Sequence, residues 1–343
     1  MIADYTKRRK LGQRRRGVIL NKKNDPHRAL IEGAIKNIAT DNRSGAAEIL
    51  KRAGEIFSSL AASKATATGI DKDYARRLLI ETCVRVVRAQ PRMAVVARLA
   101  SQVASTATGA DDVLAAAALS ARDFIDKVDR AIASATSSAA QLIKEGSIVL
   151  THSRSSTVLA ALKKARDEGR TFSVIATESR PQFEGRQLAA ALASPGINVV
   201  FVADAAAALE MSRADFVLLG ADAITPRFLV NKIGTRMIAL AARELKLPVY
   251  ALSDTSKLIN ADMFSGAEGD LHSGDELWSA PPNGVVIVNR YFEPTPLRYF
   301  TKFITEDGLL DPEEVRRRAE ESKLNKEIQD ALKKRPSGLS FDS

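Results

Sequence analysis

Residues 147–165 read SIVLTHSRSSTVLAALKKA. The run 148–150 is β-branched and apolar on both sides. Polar Thr151-His152-Ser153 follows, and from about residue 155 apolar positions recur at helical spacing. A strand that is apolar on both faces must be covered on both, the condition of a central strand in a parallel sheet. The same texture repeats downstream. Strands are expected at 172–176, 199–202, 216–219, 249–252 and 285–288, with helical patterns at about 155–168, 185–193, 205–211 and 231–245. This alternation predicts an α/β protein whose parallel sheet is flanked by helices on both faces.

Upstream, residues 28 to about 143 carry only the helical period. Ala29, Leu30, Ala34, Ile35 and Ile38 make one stripe, and Ala75, Leu78, Leu79, Cys83 and Val86 another. Segment 110–143 reads as one long Ala-rich helix or two in line. The chain thus divides into a basic arm (1–27), a helical domain (28–143), a sheet domain (144–312) and a polar C-terminal helix and tail (313–343). A hydrophobic content of 45% supplies full cores and excludes a chain disordered throughout.

No apolar stretch approaches the roughly 20 residues of a spanning helix, and Val18-Ile19-Leu20 is too short for the core of a secretory signal. A cytoplasmic protein without a membrane partner is expected. The single cysteine, Cys83, lies in an apolar stripe and reads as a buried structural thiol. With three scattered histidines it leaves no zinc motif, so neither metal nor other cofactor is expected. The net charge of +10 is concentrated: residues 1–23 hold nine Lys or Arg against Asp4, a net +8. Such an arm reads as a solvated extension. Residues 7–23 could make a weak RNA contact by counterion release, but Tyr5 alone offers little base stacking.

In open α/β sheets, ligands bind beyond the carboxyl ends of the strands. The segments there are Thr151-His152-Ser153-Arg154-Ser155, Glu178-Ser179-Arg180-Pro181, Asp204, Gly220-Ala221-Asp222 and Ser253-Asp254. A further segment, Asn231-Lys232-Ile233-Gly234-Thr235, is expected to open a helix and to offer its N–H groups and Lys232 to a phosphate. Together they suggest a small, anionic, hydroxylated ligand, a sugar phosphate or nucleotide. Simpler roles stand beside these. Asp204 and Ser155 or Ser156 are good helix caps, and Glu178 could pair with Arg180. Asp222, which follows a central strand and one Gly-Ala turn, is the stronger candidate for chemistry.

The motifs Ile148-Val-Leu-Thr-His-Ser153, Thr177-Glu-Ser-Arg-Pro181 with Gly185-Arg186, Gly220-Ala-Asp222 and Asn231-Lys-Ile-Gly-Thr235 occur in order within residues 30–310. They resemble the translation initiation factor 2B alpha/beta/delta family. That family also contains methylthioribose-1-phosphate isomerases and archaeal ribose-1,5-bisphosphate isomerases. The resemblance implies an N-terminal helical domain followed by a Rossmann-like parallel-sheet domain, a ligand site between them, and a homodimer or larger homo-oligomer. It implies ligand binding by Arg43, Gly45, Ala46, Arg154, Glu178, Arg180, Glu184, Asn231 and Lys232. The family's isomerases pair the cysteine of a Thr-His-Cys motif with the aspartate of a Gly-Ala-Asp motif. Here the aspartate is Asp222 and the cysteine position is Ser153.

Three further departures stand out. One serine is inserted in Arg43-Ser44-Gly45-Ala46, Glu184 stands where the thioribose enzymes have glutamine, and Gln90 precedes Pro91 where they have arginine. A thiol with pKa about 8.5 can be tuned to exchange protons near neutrality, whereas an alkanol needs a strong adjacent base. His152, next to Ser153 along a strand, faces the other side. The expected function is therefore a regulatory protein of the initiation factor 2B type that binds a phosphorylated sugar or nucleotide without efficient catalysis. The alternatives are an aldose–ketose isomerase of ribose 1,5-bisphosphate or methylthioribose 1-phosphate, and an RNA-associated module.

Overall fold

Five helices come first: α1 (Pro26–Ala39), α2 (Ala46–Lys64), α3 (Lys72–Ala89), α4 (Ala94–Ala107) and α5 (Val113–Leu142). The computed structural model describes residues 26–41, 44–64, 71–260 and 271–333; residues 1–25 of the basic arm and Arg43 lie outside the described residues. Asp71 and Asp112 start α3 and α5 by accepting from the N–H groups of Asp73 (2.8 Å) and Ala115 (3.2 Å). The stripes meet in one core that includes Phe57, Leu60, Leu79 and Leu99. Cys83 lies in it, and burial pushes its thiol far up, away from reactivity.

Segment 110–143 forms a single helix of 30 residues, α5. Its first part, as far as Val128, belongs to the helical core, while Ala135, Ala139 and Ala140 belong to the core beside the sheet. The two cores therefore divide inside α5.

The sheet domain alternates β1 (Ile148–Thr151), α6 (Ser156–Asp167), β2 (Ser173–Thr177), α7 (Glu184–Ala193), β3 (Asn198–Val202), the short α8 (Ala207–Glu210) and β4 (Phe216–Leu219). Next come β5 (Ala223–Ile224), β6 (Phe228–Lys232), α9 (Thr235–Glu244), β7 (Val249–Leu252), β8 (Phe292–Pro296), β9 (Lys302–Thr305) and β10 (Gly308–Leu310). The main sheet has the order β10-β9-β7-β4-β1-β2-β3. All neighbours are parallel except β10, which runs against β9. The chain fills β2 and β3 on one side of β1 and β4, β7 and β9 on the other, so the winding reverses between β1 and β4. That reversal is where a doubly wound sheet opens a crevice.

Two expectations are corrected. Residues 285–288 form no strand: Val286 is 87% exposed, so the β-branched run has no apolar layer to bury against. Instead β8 joins β5 and β6 in a small antiparallel sheet. The C-terminal segment is two helices, α10 (Pro312–Glu321) and α11 (Lys326–Lys333), not one. Val315 and Ala319 of α10 join a core of the sheet domain, while Ile328 of α11 returns to the helical core. Among the described residues no helix is long and apolar enough to cross a membrane.

Candidate functional site

A cleft of about 1030 Å³, its open mouth included, lies between the helical domain and the carboxyl ends of β1 and β4. Two helix starts line it: Gly45, Ala46 and Ala47 at α2, and residues 153–157 at α6. The starts are neighbours, since a Cβ on Gly45 would stand 3.9 Å from Ser156 Oγ. The first N–H groups of a helix have no partner within the helix and carry its positive end. Ser155 caps α6 by accepting from Val158 N–H at 3.3 Å, and the first turn of α6 holds no acid. Two such ends beside one cleft suit a phosphate. Gly220 makes the approach possible, because a Cβ there would stand 2.6 Å from Ser155 Cβ and Oγ.

Asn231, Lys232, Lys257 and Asp222 line the cleft as well. Asn231 and Lys232 end strand β6 and do not open a helix, which corrects the sequence expectation. The helix α9 begins only after Gly234, whose φ of 103° favours glycine and whose Cβ would stand 2.9 Å from His152 Nε2. The N–H groups of Gly234 and Arg236 both donate to Glu293 Oε1, at 2.7 and 2.9 Å. The protein's own carboxylate thus occupies the expected phosphate cradle at α9.

Lys232, 3% exposed, donates to Glu184 Oε1 at 2.7 Å. Lys257, also buried, donates to the Ala221 carbonyl at 2.6 Å, one residue from Asp222. Burial pushes the Asp222 carboxyl up to about 6, against the pull of Lys257 and Lys232 and with the push of Glu184. A carboxyl in that range can exchange protons near neutral pH.

Ser153 lines the cleft in a left-handed conformation, φ 64°. Its N–H donates to Ser179 Oγ at 2.7 Å. Ser179 is itself left-handed, φ 62°, and its N–H and that of Arg180 donate to the Asp204 carboxylate at 2.8 and 2.7 Å. Asp204 therefore anchors this loop and is not a helix cap. His152 is buried. Its Nε2–H donates to the Ile233 carbonyl (2.7 Å), which leaves Nδ1 to accept from the Thr177 hydroxyl (2.6 Å). Burial lowers its pKa, and with both ring nitrogens engaged it gives Ser153 no base.

The structure brings together Gly45, Ala46, Ser153, Arg154, Glu184, Asp222, Asn231 and Lys232. It leaves out Glu178 and Arg180, which also do not pair with each other. Glu178 lies 3.8 Å from Arg186, and Arg180 donates to the Glu276 carbonyl at 3.4 Å, beyond the left-handed turn at Ser179. Sequence reasoning missed Lys257 and Tyr291. The Tyr291 hydroxyl donates to the Glu276 carboxylate at 2.5 Å, and its ring centroid lies 4.9 Å from Lys232 Nζ. Lys257 had one signal, a lone cation leading into the apolar pair Leu258-Ile259 just after a buried strand. Gln90 lines the cleft too, its amide donating to the carbonyls of Ile38 (2.7 Å) and Asp41 (3.0 Å). Among the described residues no group of three or more His, Cys, Asp or Glu could hold a metal ion.

A sheet that reverses at β1 and β4, with a helical domain closing a cleft over that point, matches known proteins. The chain belongs to the initiation factor 2 subunit family, whose model matches residues 45–312. A Pyrococcus horikoshii protein described as a putative translation initiation factor eIF-2B subunit 2-like is 32% identical over 283 residues, covering 81% of this chain and 95% of that protein. A ribose 1,5-bisphosphate isomerase of Archaeoglobus fulgidus is 37% identical over 198 residues, covering 56% of this chain and 63% of the isomerase. The crystal structure of a P. horikoshii translation initiation factor eIF-2B superposes with a TM-score of 0.71 at 29% identity, over 82% of this chain and 97% of that one. The fold expected from the sequence is borne out, and relatives carry both the initiation-factor and the isomerase names.

Proposed function

We propose that this chain binds a phosphorylated pentose in the cleft and acts as a regulatory protein of the initiation factor 2B type, with little turnover. The observation that carries the binding is the meeting of the α2 and α6 starts in a cleft that Lys232 and Lys257 also line. Helix ends and ammonium groups together favour a ligand with multiple negative charges. The low turnover follows from Ser153, whose hydroxyl is an alkanol that His152, engaged elsewhere, does not activate. A second reading, aldose–ketose isomerisation of ribose 1,5-bisphosphate, is favoured by the Asp222 carboxyl near 6. Asp222 could take a proton at the first two sugar carbons, and the return proton would need a matched acid.

Calorimetry with ribose 1,5-bisphosphate tests the binding. Lys232→Ala should weaken it at least tenfold, since a charge-assisted contact is worth roughly 1.5–3 kcal/mol. Unchanged affinity would remove Lys232 from the site. Self-association belongs to the same reading. Leu209 of α8 and Met237 and Leu240 of α9 are exposed on adjoining elements of the sheet domain, an apolar face suited to a second copy. Sedimentation should give a dimer or larger, and a monomer at micromolar concentration would contradict it.

A further inference from the structure

A second cavity, about 1110 Å³ with its open mouth, lies among α4, α5 and the turn that follows β7. Asp254, Thr255 and Ser256 line it, and Asp254 also lines the first cleft. Two groups in this lining are unspent. Asp254 is 1% exposed; its Oδ1 accepts from the N–H (3.0 Å) and the hydroxyl of Ser256, whereas Oδ2 has no hydrogen-bond partner among the described residues. A buried carboxylate oxygen without a donor is an unmet demand. Arg98 of α4 is half-buried, and no carboxylate among the described residues forms an ion pair with it. Glu306 is not available to it, because its carboxylate accepts from the N–H (3.0 Å) and hydroxyl (2.5 Å) of Thr255. Lys127 adds a second cation and Asp123 a third acid, both on the exposed face of α5.

We propose that this second cavity binds a small hydroxylated acid, its anionic group on Arg98 with Lys127 nearby and a hydroxyl against the Asp254–Ser256 turn, and that its occupancy changes ligand affinity in the first cleft. The coupling has a physical carrier. Asp254 is followed by the short turn Thr255–Lys257, and Lys257 at the far end holds the Ala221 carbonyl beside Asp222. A ligand that draws on Asp254 acts on the turn that places this cation. By linkage, the effect is reciprocal between the two sites. The coupling half rests on the first cleft being the pentose site proposed above; the binding half does not.

The Lys232→Ala protein, with its first cleft impaired, is titrated by calorimetry with glycerol 3-phosphate and with glycerate, which separate a phosphate ligand from a carboxylate one. One or both should bind with one-to-one stoichiometry. Adding Arg98→Gln, or Lys127→Glu on the exposed face should Arg98→Gln not fold, should weaken that binding at least tenfold. No binding of either acid, or affinity unchanged by the second substitution, overturns the site. In the otherwise unaltered chain, the bound acid should shift ribose 1,5-bisphosphate affinity at least threefold, and Arg98→Gln should abolish the shift. A shift that persists in Arg98→Gln is competition in the first cleft and overturns the coupling. Failure of ribose 1,5-bisphosphate to bind at all defeats the pentose reading and the coupling with it, while the Lys232→Ala titration still decides the second site.

Discussion

The starts of α6 and α9 are alike in outline. Each follows a strand that ends at the cleft, and each is reached through a short turn. Only α6 opens into the cleft, beside the start of α2. At α9, the carboxylate of Glu293 takes the N–H groups of Gly234 and Arg236. The acceptor that decides the matter lies 59 residues from Gly234 in the chain and arrives through the pairing of β6 with β8. A helix start binds an external anion only when its N–H groups are not already spent, and that is a tertiary fact.

Substitutions at the two starts should break this comparison in opposite directions. Ser156→Asp places a carboxylate at the start of α6. Ribose 1,5-bisphosphate affinity should fall roughly 100-fold, because juxtaposed like charges cost several kcal/mol, while stability should rise by about 0.3–1 kcal/mol through the helix dipole. Glu293→Gln should leave affinity within twofold and lower stability by about 1 kcal/mol. Calorimetry and urea unfolding on the two proteins measure both effects. A large affinity change from Glu293→Gln would return α9 to the binding site.

The Asp222 side of the cleft yields a pH-dependent effect on stability. The folded Asp222 carboxyl sits above its ordinary value of 3.8, at about 6. Its ionisation therefore burdens the native state above pH 6 and not below about pH 4. Asp222→Asn should raise stability by up to about 3 kcal/mol at pH 8, from the difference between the two values. The gain should fade as pH falls through 6 towards 4. Unfolding curves that differ equally at pH 4 and pH 8 would show that Asp222 is not held in this way.

How much the sequence disclosed follows from the same physics. Strands β1, β2, β4 and β7 were legible because they are buried on both faces, and their runs are short and apolar. Strands β5, β6, β8, β9 and β10 were missed; β8 carries two prolines and a glutamate within Phe292–Pro296, a composition that reads as a turn. Residues 285–288 had strand propensity without a surface to pack on. In the site, Asp222 and Ser153 were visible because strand ends announce them. Lys257 was hidden because its role depends on burial of the turn after β7, and the fate of Asp204 depended on the loop after β2, whose left-handed Ser179 no propensity marks.

The central claim is that the cleft binds a phosphorylated pentose but that Ser153 withholds the proton transfer needed for rapid isomerisation. Steady-state turnover of ribose 1,5-bisphosphate by the wild type and by Ser153→Cys tests it most directly. The account predicts a wild-type turnover number below about 1 s⁻¹, the low edge of ordinary enzymes, and at least a tenfold rise in Ser153→Cys, within the range a general acid–base group supplies. A wild-type turnover number above about 1 s⁻¹, with no gain from Ser153→Cys, would contradict it and give Asp222 a catalytic partner other than Ser153.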